Sequence, residues 1–271
     1  MKKNIYNDFF DELINLFPSI NNYLNLKEYS HLNHLLENPY LDEHIQKQKE
    51  LFKKYLKKIL LEKQLNIYDK TLLNTCKISL KSFEYDFDLI PINHQENSLI
   101  SIMELSSEHS SYIFNKKIDY VNLIKKLQNL ECYTNSIILN MEKGMQKSIT
   151  LPKIIAIKLL EQFESFKKNK SYKNNNIKFK LDFDFNKIVE QYVVPSLNKI
   201  IDFLKNRYIH KCRKSIGLCG LKNGKEMYNY LGINMKELEI RYRKVLNEFT
   251  NNKDFPFLHI KCHSKSTFNH V

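Results

Sequence analysis

The chain has 271 residues, 42% hydrophobic, 27% charged and 12% aromatic, with only 5 Gly and 6 Pro and a formal net charge of +13. That composition excludes collagen-like, low-complexity and disordered classes, and the length suffices for one large core or two modest ones without staples. Five widely spaced cysteines without a C-x-x-C pair exclude a disulfide framework and predict a reducing, cytoplasmic setting.

The first residues, Met1 to Asp8, carry lysines but no apolar h-region, so no signal peptide is expected. Residues 5–24 then show helical spacing through Phe9, Phe10, Leu13, Ile14, Leu16 and Phe17, with Pro18 marking a boundary or kink. Residues 42–63 predict a long amphipathic helix: Leu51, Tyr55 and Ile59, with Phe52, Leu56 and Leu60, fall on one side, and Lys53, Lys54, Lys57 and Lys58 on the other. A helix over 69–85 follows, then a connection at Ile90 to Asn97. Further helices are predicted over 119–143, 150–167, 185–210 and 223–249, the last with a break near Gly232. Gly144 is placed as the left-handed residue ending its helix, and Thr150-Leu151-Pro152 as an N-cap with proline in the first turn. Lys167 to Lys178 predicts a mobile surface loop, and Phe179 to Phe185 alternates well enough for one short strand. The expected fold is all-α, an irregular multi-helix bundle with at most one short strand or hairpin near 177–185. No apolar run reaches the roughly 18–20 residues of a membrane crossing, so a soluble protein without membrane contact is expected.

The positive charge is almost entirely lysine; arginine occurs only at positions 207, 213, 241 and 243. Asn, Ile, Tyr and Phe are abundant too, and these share A/T-rich codons with Lys, so genome composition accounts for much of the excess. Phosphate and base-edge readers favour the bidentate arginine fork, so a solvated lysine face is preferred over a nucleic-acid reader.

The sequence contains no H-E-x-x-H, and none of its nine histidines precedes a glutamate. His31 and His34 share a predicted helix but lack a third ligand. His210, Cys212, Cys219, His259, Cys262 and His263 have no recognised finger spacing. Gly217 to Glu226 departs from a phosphate loop at Cys219 and at Glu226, and reads better as a turn leading to a helix with Met227, Tyr228 and Leu231. No G-x-S-x-G elbow is present, and Cys132, between Leu130 and Tyr133, is expected to be packed.

Several segments, in order, resemble the bacterial family known as domain of unknown function 885. They are Asp8-Phe9-Phe10-Asp11-Glu12-Leu13 through Pro18-Ser19; Pro91-Ile92-Asn93-His94-Gln95; Asp119-Tyr120 through Leu123; Asn140-Met141-Glu142-Lys143-Gly144-Met145; Leu151-Pro152-Lys153; Pro195 through Leu204; and Gly217-Leu218, Leu221-Lys222-Asn223-Gly224 and Tyr228-Tyr230. The similarity runs over about residues 5–247. It implies relation to helical zinc metallopeptidases of the zincin type, whose metal helix lies C-terminal to the segment matched last. Here Lys222 replaces a usual proline and the residues after Leu246 diverge, so residues 1–249 are expected to form the family-like helical domain and 250–271 a divergent tail. No catalytic, cofactor-binding or metal-ligating residue carries over, and no cofactor is assigned: zinc belongs to the family, its ligands are not matched.

The resulting expectation is a catalytically incomplete, truncated relative without enzymatic activity of its own. Asn93, Gln95, Asn223 and Tyr228 are candidates for residues facing a former substrate cleft. The alternatives are a basic binder of nucleic acid or acidic surfaces, and one half of a split zinc peptidase. An apolar face left uncovered predicts self-association or a separate C-terminal partner.

Overall fold

Burial follows helical periodicity along most of the chain, in a computed structural model that describes residues 5–227 except positions 25, 95, 96, 111, 113 and 225. Two compact units divide the chain, Met1–Gly224 and Lys225–Val271, and every element named below lies in the first. The predicted helix over 223–249 and the tail at 250–271 fall almost wholly outside the described residues.

The N-terminal part is a three-helix bundle. Helix α1 (Ile5–Leu16) ends at Pro18, which opens a 3-10 turn (Pro18–Ile20) and then the four-residue α2 (Asn21–Leu24). Another 3-10 segment (Lys27–Leu32) and an extended stretch lead to α3 (Asp42–Leu60), which pairs with α4 (Ile67–Glu84). The apolar stripe of α3 is as predicted through Leu51, Phe52, Tyr55 and Ile59. Together with Phe9 from α1 and Leu72 and Cys76 from α4 it makes a separate small core. The stripe stops one residue short: Leu60, at the end of the helix, is exposed although Ile59 beside it is fully buried. Asn66 caps α4 by accepting from the Asp69 N–H at 2.9 Å, while Asp69 accepts from the Asn66 N–H at 3.0 Å.

The larger core is built by α5 (Ser98–Glu104), α6 (Lys117–Leu127), α7 (Leu130–Gln146), α8 (Lys153–Lys168) and α9 (Phe185–Phe203). Helix α5 sits next to the predicted connection. Its Leu99, Ile100, Ile102 and Met103 are buried, and Ser98, Ser101 and Glu104 mark the outer side at i, i+3 and i+6, but two turns are too short a window for the period to stand out. The single helix expected over 119–143 is two, broken at Gln128 and Asn129. Leu127 and Leu130 are both fully buried and three residues apart, so the apolar phase runs unbroken across a chain reversal. Helix α9 is capped by the Asp184 carboxylate, which accepts from the Lys187 N–H at 3.0 Å, and it continues past Pro195 into a wider π turn (Leu204–Tyr208) and a final 3-10 turn (Ile209–Lys211).

The described residues contain no strand; one isolated parallel bridge joins Pro152 to Arg213. Phe179, Leu181 and Phe183 nonetheless alternate inward with exposed neighbours and pack on the large core, so the two-residue period is real although no ladder forms. The segment after α8 is pinned rather than mobile. Tyr172 and Asn174 are buried, the Ser106 hydroxyl donates to the Tyr172 carbonyl at 2.7 Å, and Asn174 and Asn186 exchange two hydrogen bonds of 2.9 Å. Its Lys/Asn composition conceals these two anchors. No helix among the described residues is long and apolar enough to cross a membrane.

Candidate functional site

The segment with the most specific resemblance, Asn140 to Met145 on α7, lies where the two cores meet. Its residues are occupied one by one. Asn140 donates from its side chain to the Tyr40 carbonyl at 3.1 Å, Met141 is fully buried, Glu142 pairs with Arg207 at 2.6 Å and Lys143 pairs with Asp42 at 3.1 Å. Upstream on the same face, the Ser136 hydroxyl accepts from the Asn38 amide at 2.9 Å. Residues 38–41 form a turn, closed by the Leu41 N–H on the Asn38 carbonyl at 3.3 Å, and Asp42 opens α3; Ser136, Asn140 and Lys143 recur at helical spacing, so one face of α7 holds the turn and the first residue of α3.

Gly144 is inside α7 and not in the left-handed region. The helix ends in a Schellman motif: the Ile149 N–H donates to the Gly144 carbonyl at 2.8 Å, the Ser148 N–H to the Met145 carbonyl at 3.3 Å, and Ser148 itself carries the positive φ of 60°. Gly144 is required by space instead. A Cβ there would stand 2.6 Å from the Ile149 carbonyl oxygen and 2.9 Å from that of Leu89.

The Leu151-Pro152-Lys153 segment is likewise structural. Helix α8 begins at Lys153 with Pro152 before it, and Thr150 does not cap it. The Lys153 N–H is satisfied by the Arg213 carbonyl at 2.8 Å, the Arg213 guanidinium donates from Nε to the Thr150 carbonyl at 2.9 Å, and the Arg213 N–H donates to the Thr150 hydroxyl at 3.1 Å. The buried Leu151 N–H donates to the Tyr208 hydroxyl at 3.0 Å. The local N-cap signature was outcompeted by a partner some sixty residues away.

Against α7 lies a partly buried polar cluster that no sequence motif marks, in which Lys126 and Tyr133 are buried and Ser19, Glu37, Tyr40 and Ser98 half-buried. The Ser19 N–H and hydroxyl donate to the Glu37 carboxylate at 3.1 and 2.7 Å. Tyr40 and Ser98 share a hydrogen bond of 2.8 Å between their hydroxyls, and the Tyr40 ring meets Tyr133 edge-on at 5.4 Å. Burial pushes the phenols of Tyr40 and Tyr133 upward, Tyr133 strongly. Lys126, in the last turn of α6, is fully buried; desolvation pulls its ammonium down to about 8, against the attraction of Glu37. A signal for it exists in the sequence: Lys126 stands three residues after Leu123 and four before Leu130, within an apolar stripe. With no solvent-accessible surface, its amine is placed to hold structure rather than to meet a substrate.

Of the four candidates for cleft-facing residues, Asn93 and Asn223 are among the described residues. Asn93 is exposed at the end of the Ile90–Ile92 segment, and Asn223 is exposed with a φ of 67° in a turn closed by the Gly224 N–H on the Leu221 carbonyl at 3.0 Å. Gln95 and Tyr228 lie outside the described residues. Asn223 therefore has a conformational reason to be asparagine. His31 and His34 are exposed, and His31 is in a 3-10 turn. Cys132 is on α7 as expected but exposed, since it sits one position off the buried face of Leu130, Tyr133 and Ile137. His210 is exposed and Cys212 half-buried, while His259, Cys262 and His263 lie outside the described residues. The zinc ion implied by the resemblance finds no fitting donor set: among the described residues no group of three His, Cys, Asp or Glu side chains is placed to hold a metal.

The family model for bacterial proteins of unknown function, DUF885, matches residues 18–244, most of the chain. The chain belongs to that family. None of the curated proteins compared with it matches. The DUF885 match takes in the turn at 38–41, the whole of α7, the α8 start and the Arg213 latch, so the joint between the cores lies within the family region.

Proposed function

We propose that the helical body is a non-catalytic binding module of metallopeptidase-like ancestry. The observation that carries this reading is how the family-like residues of α7 and the α8 start are spent: Asn140, Glu142, Lys143, Gly144 and Leu151 all secure backbone or close packing, and none is left for chemistry. The absence of H-E-x-x-H from the sequence supports the same reading. A helical wall of this kind can position a ligand, but it has no means here of activating water.

The test is an assay of the purified full chain on a mixed peptide library, with zinc added and with chelator. The expected result is no zinc-dependent hydrolysis. Robust cleavage that zinc restores and a chelator abolishes would overturn the proposal. If activity arises only on adding a separately encoded zinc-bearing chain, the module is half of a split peptidase.

The lysine face of α3 gives a dedicated nucleic-acid reader no support. Lys47 is paired with Glu43 at 2.5 Å and Lys54 with Glu12 at 2.6 Å, and the Lys58 amine lies 4.6 Å above the Tyr55 ring.

A further inference from the structure

The end of the first bundle where α3 hands over to α4 carries adjacent large apolar side chains in water. Leu60 is 62% exposed, Leu61 76%, Ile67 70% and Tyr68 65%. Tyr68 lies against Tyr6 of α1, itself 40% exposed, with ring centroids 6.1 Å apart. These residues end one helix and begin the next, so they form the tip of a hairpin rather than the wall of a groove.

A basic collar surrounds the tip. Lys57 and Lys58 are exposed one turn before the leucines, about 5 Å back along the α3 axis. Lys63 is exposed in the turn and Lys70 one turn into α4. Among the described residues Lys57, Lys63 and Lys70 make no ion pair. The acids nearby are Glu62, Asp69, Asp8 and Glu12; Asp69 is engaged with the Asn66 N–H at 3.0 Å, and Glu12 pairs with Lys54 at 2.6 Å and also attracts Lys58. From residue 53 to residue 70 the sequence has six lysines against two acidic residues.

We propose that this tip docks peripherally on an anionic lipid surface, with Leu60, Leu61 and Ile67 seated below the headgroups and Lys57, Lys58, Lys63 and Lys70 on their anionic groups. The spacing suits the task, since Lys57, Lys58 and Lys70 follow about one helical turn behind the apolar side chains, the order of acyl carbons and phosphates in a leaflet, while Lys63 stands in the turn on a side chain long enough to reach back to the headgroups. Tyr6 and Tyr68, apolar rings with polar ends, belong at the boundary between them. A second copy of the chain suits the tip less well. A two-fold contact would set the lysine collar against itself, and five side chains are few beside the roughly 20–30 residues a side of a stable interface.

The test is cosedimentation of the full chain with vesicles of phosphatidylcholine alone and of phosphatidylcholine with about 30% phosphatidylserine. The expected result is binding to the anionic vesicles only, weakened by salt at about 0.5 M. Both the double variant Leu60→Ser/Leu61→Ser and the triple variant Lys57→Gln/Lys58→Gln/Lys63→Gln should lower that binding about tenfold or more. All five positions are exposed, so an unchanged urea midpoint is expected to accompany the loss. Absence of binding to the anionic vesicles overturns the proposal, as does full retention by the leucine variant, which would reduce the contact to charge alone. A concentration-dependent dimer abolished by Leu60→Ser/Leu61→Ser, without vesicle binding, assigns the tip to a second copy instead.

Discussion

Replacing Gly144 by alanine is expected to destabilise the protein even though it removes a glycine from a helix interior. The new Cβ would stand 2.6 Å from the Ile149 carbonyl oxygen, 2.9 Å from that of Leu89 and 3.4 Å from the Leu89 Cβ. The two nearest atoms are backbone, so no rotamer change relieves them; the Schellman turn or the Leu89 segment has to move. Overpacking of this sort costs about 1–3 kcal/mol, and the propensity gain from glycine to alanine returns about 1 kcal/mol. A contact well inside 3 Å puts the cost near the upper end, leaving a net loss of about 1–2 kcal/mol and a Tm lower by about 2–8 °C. Urea unfolding followed by far-ultraviolet circular dichroism measures it. Asparagine separates crowding from conformation: it would nearly match glycine at a left-handed terminus, whereas here it should be worse than alanine. Ser148→Gly, at the true left-handed position, should stabilise by roughly 0.5–1 kcal/mol. A Gly144→Ala protein as stable as the wild type, with Gly144→Asn equal to it, would refute the reasoning.

Tyr208→Phe removes the acceptor of the buried Leu151 N–H and should cost about 1–3 kcal/mol in the same assay; a loss under a few tenths would mean that the bond contributes nothing. The Lys126 amine is held near 8 in the fold against 10.5 unfolded, so between these values the unfolded chain binds more protons and stability rises with pH. The penalty is complete below about 8 and gone above 10.5, and Lys126→Met should lack it. Wild type therefore gains on the variant by up to about 3 kcal/mol as pH rises from 8 toward 10, and parallel pH profiles would contradict the buried amine. Peptide mapping after brief treatment of the native protein with a thiol reagent should find Cys132 modified and Cys76 protected, because Cys76 is fully buried and its thiol is pushed up to about 11; equal labelling of the two would refute these placements.

What the sequence discloses of the fold is its periodic part. The α3 stripe and the Pro18 boundary are local facts, and a one-dimensional reading finds both. The break between α6 and α7 is hidden because Leu127 and Leu130 keep the phase of one continuous helix. Helix α5 is hidden because its seven residues give too short a window for a period, although Ser98, Ser101 and Glu104 mark its outer side. The cap of α8 is out of reach for another reason: Thr150 and Pro152 look like a local N-terminus, but the carbonyl that satisfies Lys153 belongs to Arg213. Of the candidate site, Asn93 and Asn223 were legible as loop amides and proved to be exposed, with Asn223 placed by its own backbone. The partly buried cluster of Glu37, Tyr40, Ser98, Lys126 and Tyr133 comes from four separated segments, and only the lysine within an apolar stripe betrays it beforehand.

The turn at 38–41 gives the family-like residues of α7 a positional role. A helix turns every third or fourth residue to one side, so Ser136, Asn140 and Lys143 share a face. Asn38 and Tyr40 of the turn, and Asp42 as the first residue of α3, meet that face by bonds of 2.9, 3.1 and 3.1 Å. The two inner bonds contribute about 1 kcal/mol each and the exposed ion pair less. That is small beside either core, but it fixes the orientation of α3, which starts at Asp42. Whatever the hairpin tip at Leu60 and Leu61 touches is thereby held at a set angle to the α7 to α9 core. The proposed binding role would use such a joint, because a module that contributes no chemistry contributes geometry.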